Sequence, residues 1–132
     1  MCVCRDIKPQ NIFVSKNLKI VRLGDLGIAK QMDGTQDLAT TQLGTPFYMS
    51  PELVANRPYT SASDIWALGC CLYEMAARKT AFQAGNLPQL WVKILRNSYQ
   101  PLPSHFSRPF QQLLGLILRA GLSITILRMK SS

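Results

Sequence analysis

Four polar side chains near the start of the 132-residue chain carry the types and spacing that phosphate chemistry needs. Arg5-Asp6-Ile7-Lys8-Pro9-Gln10-Asn11 sets a carboxylate, an ammonium and an amide within six residues, and Asp25-Leu26-Gly27 follows a short β-rich stretch. Asn11 and Asp25 are hard oxygen donors of the kind magnesium takes beside substrate phosphates. Asp6 then stands next to the metal. Lys8 is near enough to neutralise a transferring phosphoryl group.

The elements between these residues decide whether they meet. Ile12-Phe13-Val14 and residues 19–23 are β-branched runs around the turn-like Ser15-Lys16-Asn17, so they predict a small hairpin that folds Asp25 back towards Asn11. From Gly24 to Pro51 no hydrophobic period persists, and a polar loop of that length inside a domain is usually functional. Three helices follow. Ser61 is the expected N-cap of the first, which runs to about Ala77 with apolar residues on nearly every side and so belongs at the centre. Asn86 caps a second, with Leu87, Leu90, Trp91, Ile94 and Leu95 on one face. Ser107 caps a third, with Phe110, Leu113, Leu114, Ile117 and Leu118 in the same pattern.

These motifs resemble those of the eukaryotic serine/threonine protein kinases. The catalytic-loop pattern H-R-D-x-x-x-x-N stands here as C-R-D-I-K-P-Q-N, D-F-G as D-L-G, and A-P-E as Ser50-Pro51-Glu52. The wording GTPFYMSPELVANRPYTSASDIWALGCCLYEMAARKTAF is most similar to the NIMA-related kinases, over residues 4 to 118. The resemblance implies a mainly α fold, a kinase-like C-terminal lobe with a small β-hairpin, and transfer of the ATP γ-phosphate to protein serine or threonine. Asp6 would accept or orient the substrate hydroxyl proton, Lys8 would steady the γ-phosphate, and Asn11 with Asp25 would hold magnesium. Thr45 would bond Asp6 and Lys8. Thr41 would be the activating phosphosite, with Thr40 an equal candidate on chemistry, and Arg5 the waiting guanidinium. Asp64 would anchor the catalytic loop through its backbone amides, and Glu52 would pair with a later arginine.

Each residue also has a plainer reading. Asp64 suits the first turn of any helix, Asp25 suits a turn, and Ser50-Pro51-Glu52 can simply open a helix. Cys70 and Cys71 read as inert core residues.

The chain departs from the family pattern in three places. It contains no G-x-G and no V-A-I-K strand, so one wall of the nucleotide site is missing and residues 1–118 read as a partial kinase domain. The abrupt start before C-R-D suggests a partial gene product. Cys4 and Leu26 replace a histidine and a phenylalanine, which predicts a looser contact behind Asp25. Arg119 and Arg128, in a divergent tail over 119–132, do not match the position that pairs with Glu52, predicting a costly unpaired carboxylate. The expectation is therefore a chain that is negligibly active alone. The alternative is a non-catalytic lobe that binds proteins, substrates or partner kinases, through the surface such a wall would cover and the helix at 86–97.

Composition narrows the partners. Fifteen basic and seven acidic residues give +8, but the bases are scattered and not interleaved with aromatics, so no nucleic acid is expected. No signal peptide is visible and Leu113–Met129 is interrupted by charge and glycine, so no membrane is expected either. Cys2, Cys4, Cys70 and Cys71 fit neither a zinc site nor a disulfide framework, which points to the cytoplasm. The family resemblance adds the cytoskeleton, centrosome or nucleus.

Overall fold

A computed structural model describes residues 6–24 and 46–119. A one-turn 3-10 segment at Pro9–Asn11 runs straight into strand β1 (Ile12–Val14), which pairs antiparallel with β2 (Val21–Leu23). Phe13 faces Arg22 across the ladder, with Ile12 opposite Leu23 and Val14 opposite Val21. The second strand begins two residues later than the sequence predicts, because the turn takes Lys19 and Ile20. The Lys19 amide donates to Asn17 Oδ1 and the Ile20 amide to Ser15 Oγ, while the Ser15 hydroxyl donates to Asn17 Oδ1 at 2.6 Å. Leu18 closes this turn in the left-handed region at φ 58°, a conformation that costs a side-chain-bearing residue roughly 1–2 kcal/mol.

The rest is helical: α1 (Pro51–Val54), α2 (Ser61–Ala77), α3 (Leu87–Leu95) and α4 (Arg108–Ile117). Pro51 opens α1, so the plain reading of Ser50-Pro51-Glu52 as a helix start is realised. The cap of α2 lies one residue earlier than expected, at Thr60, because the Ser63 hydroxyl reaches back to accept from the Thr60 amide at 3.2 Å. Asn86 and Ser107 cap as the sequence predicts: Asn86 Oδ1 accepts from the Gln89 amide at 2.9 Å and Ser107 Oγ from the Phe110 amide at 3.4 Å.

The core forms along α2. Trp66, Cys70 and Tyr73 pack with Phe82, Leu90, Ile94, Leu102, Leu114 and Leu118. Trp66 stacks on Phe82 with ring centroids 5.5 Å apart, and Tyr99 meets both Phe82 and Tyr73 edge-on. Helix α2 is less uniformly enclosed than its composition suggests, since Ile65 and Met75 are exposed. The apolar stripes of α3 and α4 are likewise narrower: Leu90, Ile94 and Leu114 are buried while Leu87, Leu95 and Leu113 face solvent. Gly69 lets α4 close on α2, because a Cβ there would lie 2.3 Å from Ile117 Cγ2. The two adjacent thiols are free and sealed in this core. Burial pushes Cys71 up to about 12 and Cys70 upward too, so both stay protonated and inert.

Candidate active site

The site is built at the entrance of the hairpin. Lys8 is extended and Pro9 starts a single tight turn, which the Asn11 amide closes by donating to Lys8 O at 2.9 Å. That turn reverses the chain, so Asn11 points back at the residue five positions before it. Asn11 Nδ2 donates to Asp6 O at 2.8 Å and to Asp6 Oδ2 at 3.0 Å. Lys8 Nζ lies 3.4 Å from the other carboxylate oxygen, Asp6 Oδ1. Both oxygens of Asp6 are thereby held, one by a neutral amide and one by a cation.

Burial divides the three unequally. Asn11 is 4% exposed, whereas the side chains of Asp6 and Lys8 are 47% and 41% exposed. A buried amide with its donor committed is a rigid support. A half-exposed carboxylate beside it remains open to an incoming hydroxyl. The amide orientation also matters for a cation: with Nδ2 spent on Asp6, Oδ1 is the atom left to ligate. The chain returns here, since the Gly24 amide donates to Asn11 O at 2.8 Å. Gly24 must be small, for a Cβ there would meet the Phe13 ring at 2.6 Å.

Asp25 follows directly but lies outside the described residues, as do Cys4, Arg5, Leu26, Thr40, Thr41, Thr45 and Arg128. Among the described residues no group of three or more His, Cys, Asp or Glu side chains could hold a metal. An amide oxygen at Asn11 with one further carboxylate fits magnesium, which keeps most of its ligands as water and phosphate.

The other two predicted carboxylates among the described residues, Glu52 and Asp64, belong to the helical body. Glu52 is half-buried and accepts from the Ser63 hydroxyl at 2.7 Å. The expected cost of an unpaired carboxylate is therefore reduced: a buried serine shared with the α2 cap supplies a donor. Asp64, in the first turn of α2, accepts a hydrogen bond from the Tyr59 hydroxyl. A third pair escaped the sequence reading altogether. Tyr48 donates to Glu74 Oε2 at 2.5 Å, joining the segment before α1 to the last turn of α2. Burial and the Glu74 carboxylate push this phenol well above its usual range. No short-range pattern signals a bond between residues 26 positions apart.

Comparison with known proteins supplies the context for this geometry. Residues 1–122 match the family described as protein kinase domain. The chain is 49% identical over 115 residues to the serine/threonine-protein kinase Nek1 of Mus musculus, covering 87% of this chain and 10% of that protein. It is 46% identical to Nek5 of the same species, over 89% of this chain and 19% of the relative. To nekl-2 of Caenorhabditis elegans it is 43% identical, over 89% of this chain and 32% of the relative. The chain thus spans a third or less of each of these relatives.

Proposed function

The chain belongs to the protein kinase domain family, among the Nek-type serine/threonine kinases, and from that premise we propose that Asp6, Lys8 and Asn11 are working parts of a phosphoryl-transfer site. The observation that carries the reading is the convergence of the Lys8 and Asn11 side chains on the Asp6 carboxylate, with Asn11 buried and Asp6 open.

Asp6 takes or orients the proton of a substrate serine or threonine hydroxyl at whichever carboxylate oxygen the incoming group displaces from its present partner. Asn11 holds the carboxylate in register through its Nδ2 and offers Oδ1 to a cation. Asp25 completes the oxygen set. Magnesium, when bound with ATP, neutralises charge on the phosphate oxygens. Lys8, now 3.4 Å from Asp6, can swing to the γ-phosphate as it transfers. In this proposal Thr45 would bond Asp6 and Lys8 beside the acceptor residue, Thr41 would be the phosphosite that Arg5 receives, and Asp64 and Glu52 would brace the loops from α2 and α1.

A polypeptide of these 132 residues alone turns over negligibly. Its sequence holds no glycine-rich phosphate loop and no V-A-I-K lysine, and the charged side chains of Asp6 and Lys8 are half-exposed, where charge acts on phosphate through water. The exposed apolar residues of the hairpin, among them Val14, Val21 and Leu23, favour a second reading in which this lobe serves as a protein-binding module.

Grafting residues 4–118 into the mouse Nek1 kinase domain, in place of its matching segment, tests the site. Phosphorylation of a generic serine substrate that Asp6→Asn abolishes is expected, and a folded but inert graft overturns the reading. Radiolabelled-ATP turnover by the 132-residue chain itself, lost in Asp6→Asn, would overturn its proposed inactivity.

A further inference from the structure

We propose that a second, basic cleft, between the C-terminal end of α2 and the flanks of α3, binds a phosphate monoester on a protein partner. The cleft holds about 310 Å³, and Lys79, Thr80, Gln83, Lys93, Ser98 and Gln100 line it. Lys79 follows the end of α2 and Lys93 lies in the last turn of α3, so two lysines 14 residues apart in sequence, from two elements, border the same cleft.

Among the described residues neither ammonium meets a carboxylate. Lys79 Nζ donates to Gln100 Oε1 at 2.8 Å, and Lys93 Nζ donates to the Gln83 carbonyl oxygen. Both acceptors are neutral, so they position the charges without cancelling them. The four described acids are occupied elsewhere: Asp6 with Lys8, Glu52 with Ser63, Asp64 with Tyr59, and Glu74 with Tyr48. Two phenols also border the cleft, Tyr73 and Tyr99, and burial raises both, so they contribute no negative charge at neutral pH.

The charge count selects the ligand. Two positive charges balance a dianion, which a phosphate monoester supplies at neutral pH and a single carboxylate does not. Lysines without an arginine fork recognise phosphate as point charges, and the hydroxyls of Thr80 and Ser98 can donate to further oxygens. The cleft lies in the helical body, on elements separate from Asp6 and Asn11. Its binding is therefore read without any turnover, and it stands or falls apart from the proposed catalysis.

The experiment is fluorescence polarisation of the 132-residue chain with a labelled phosphoserine peptide of neutral flanks, its unphosphorylated twin, and inorganic phosphate as competitor. Saturable binding of the phosphopeptide is expected, with the twin at least about tenfold weaker. Lys79→Gln and Lys93→Gln should each weaken binding by about fivefold, the scale of one partly exposed charge pair. Lys16→Gln and Lys19→Gln, on the exposed hairpin turn, should leave it unchanged. Equal binding of the two peptides overturns the proposal, as does equal loss from all four substitutions, which would mark a diffuse effect of the +8 chain. Competition by inorganic phosphate at concentrations matching the peptide would show that the free anion is the ligand and overturn the protein partner.

Discussion

The hairpin end and the helical body are held together by opposite means. At residues 6–24 the bonds are local: Asn11 reaches Asp6 over five positions, Lys8 reaches it over two, and Ser15 with Asn17 organises the turn. Both strands are largely exposed, and no described side chain of the ladder is fully buried. The body between 46 and 119 closes instead through distant partners, Tyr48 with Glu74, Glu52 with Ser63, and the Tyr73 hydroxyl donating to Gln100 O at 2.7 Å. The proposed chemistry is thus mounted on the part with little core of its own. The large apolar reserve lies in the part that does none of the proposed phosphoryl transfer.

The contrast is sharpest in the core. Phe82 is fully buried against Trp66 and Tyr99, so Phe82→Ala should cost about 4 kcal/mol and move the urea midpoint of the helical signal far down. A shift below 1 kcal/mol would show that the body is as loosely built as the hairpin. Gly69→Ala comes next. The new methyl must displace Ile117, and a loss of about 2 kcal/mol is expected in the same melt. An unchanged midpoint would mean that α4 does not seat closely on α2.

Alkaline pH should act on the body through its raised groups. Cys71 titrates near 9.0 when unfolded and about 12 when folded, so above pH 9 the unfolded chain releases a proton that the folded chain keeps. Stability should be level below pH 9 and fall progressively between 9 and 12, with Cys70, Tyr73 and Tyr99 adding in the same direction. Urea melts at pH 8.0 and 10.5 check this, and equal midpoints would contradict it. The smallest effect belongs to the ribbon: Val21, 65% exposed, should tolerate Val21→Thr within about 0.5 kcal/mol. A larger loss would mean that the strand is covered in solution.

The order in which these features could be read follows their range along the chain. The Asp6–Asn11 relation was legible because a proline-started turn brings residues five apart together without help from elsewhere. The caps at Asn86 and Ser107 were legible for the same reason, each being a bond over three positions. The α2 cap was misplaced by one residue because Ser63 answers two partners, Thr60 and the distant Glu52. The stripes of α3 and α4 were drawn too wide, since periodicity marks an apolar face without saying how much of it a neighbour covers.

Residue type and spacing alone made the kinase-like motifs, the hairpin and the long helices legible, because each rests on covalent neighbours or a single turn of backbone. Tertiary structure decided which carboxylate found which hydroxyl, how deeply Asn11 was enclosed, and that Lys79 and Lys93 share one cleft. Those outcomes depend on contacts between residues far apart in the chain, whose pairing is settled by packing volume and the need to satisfy buried polar atoms.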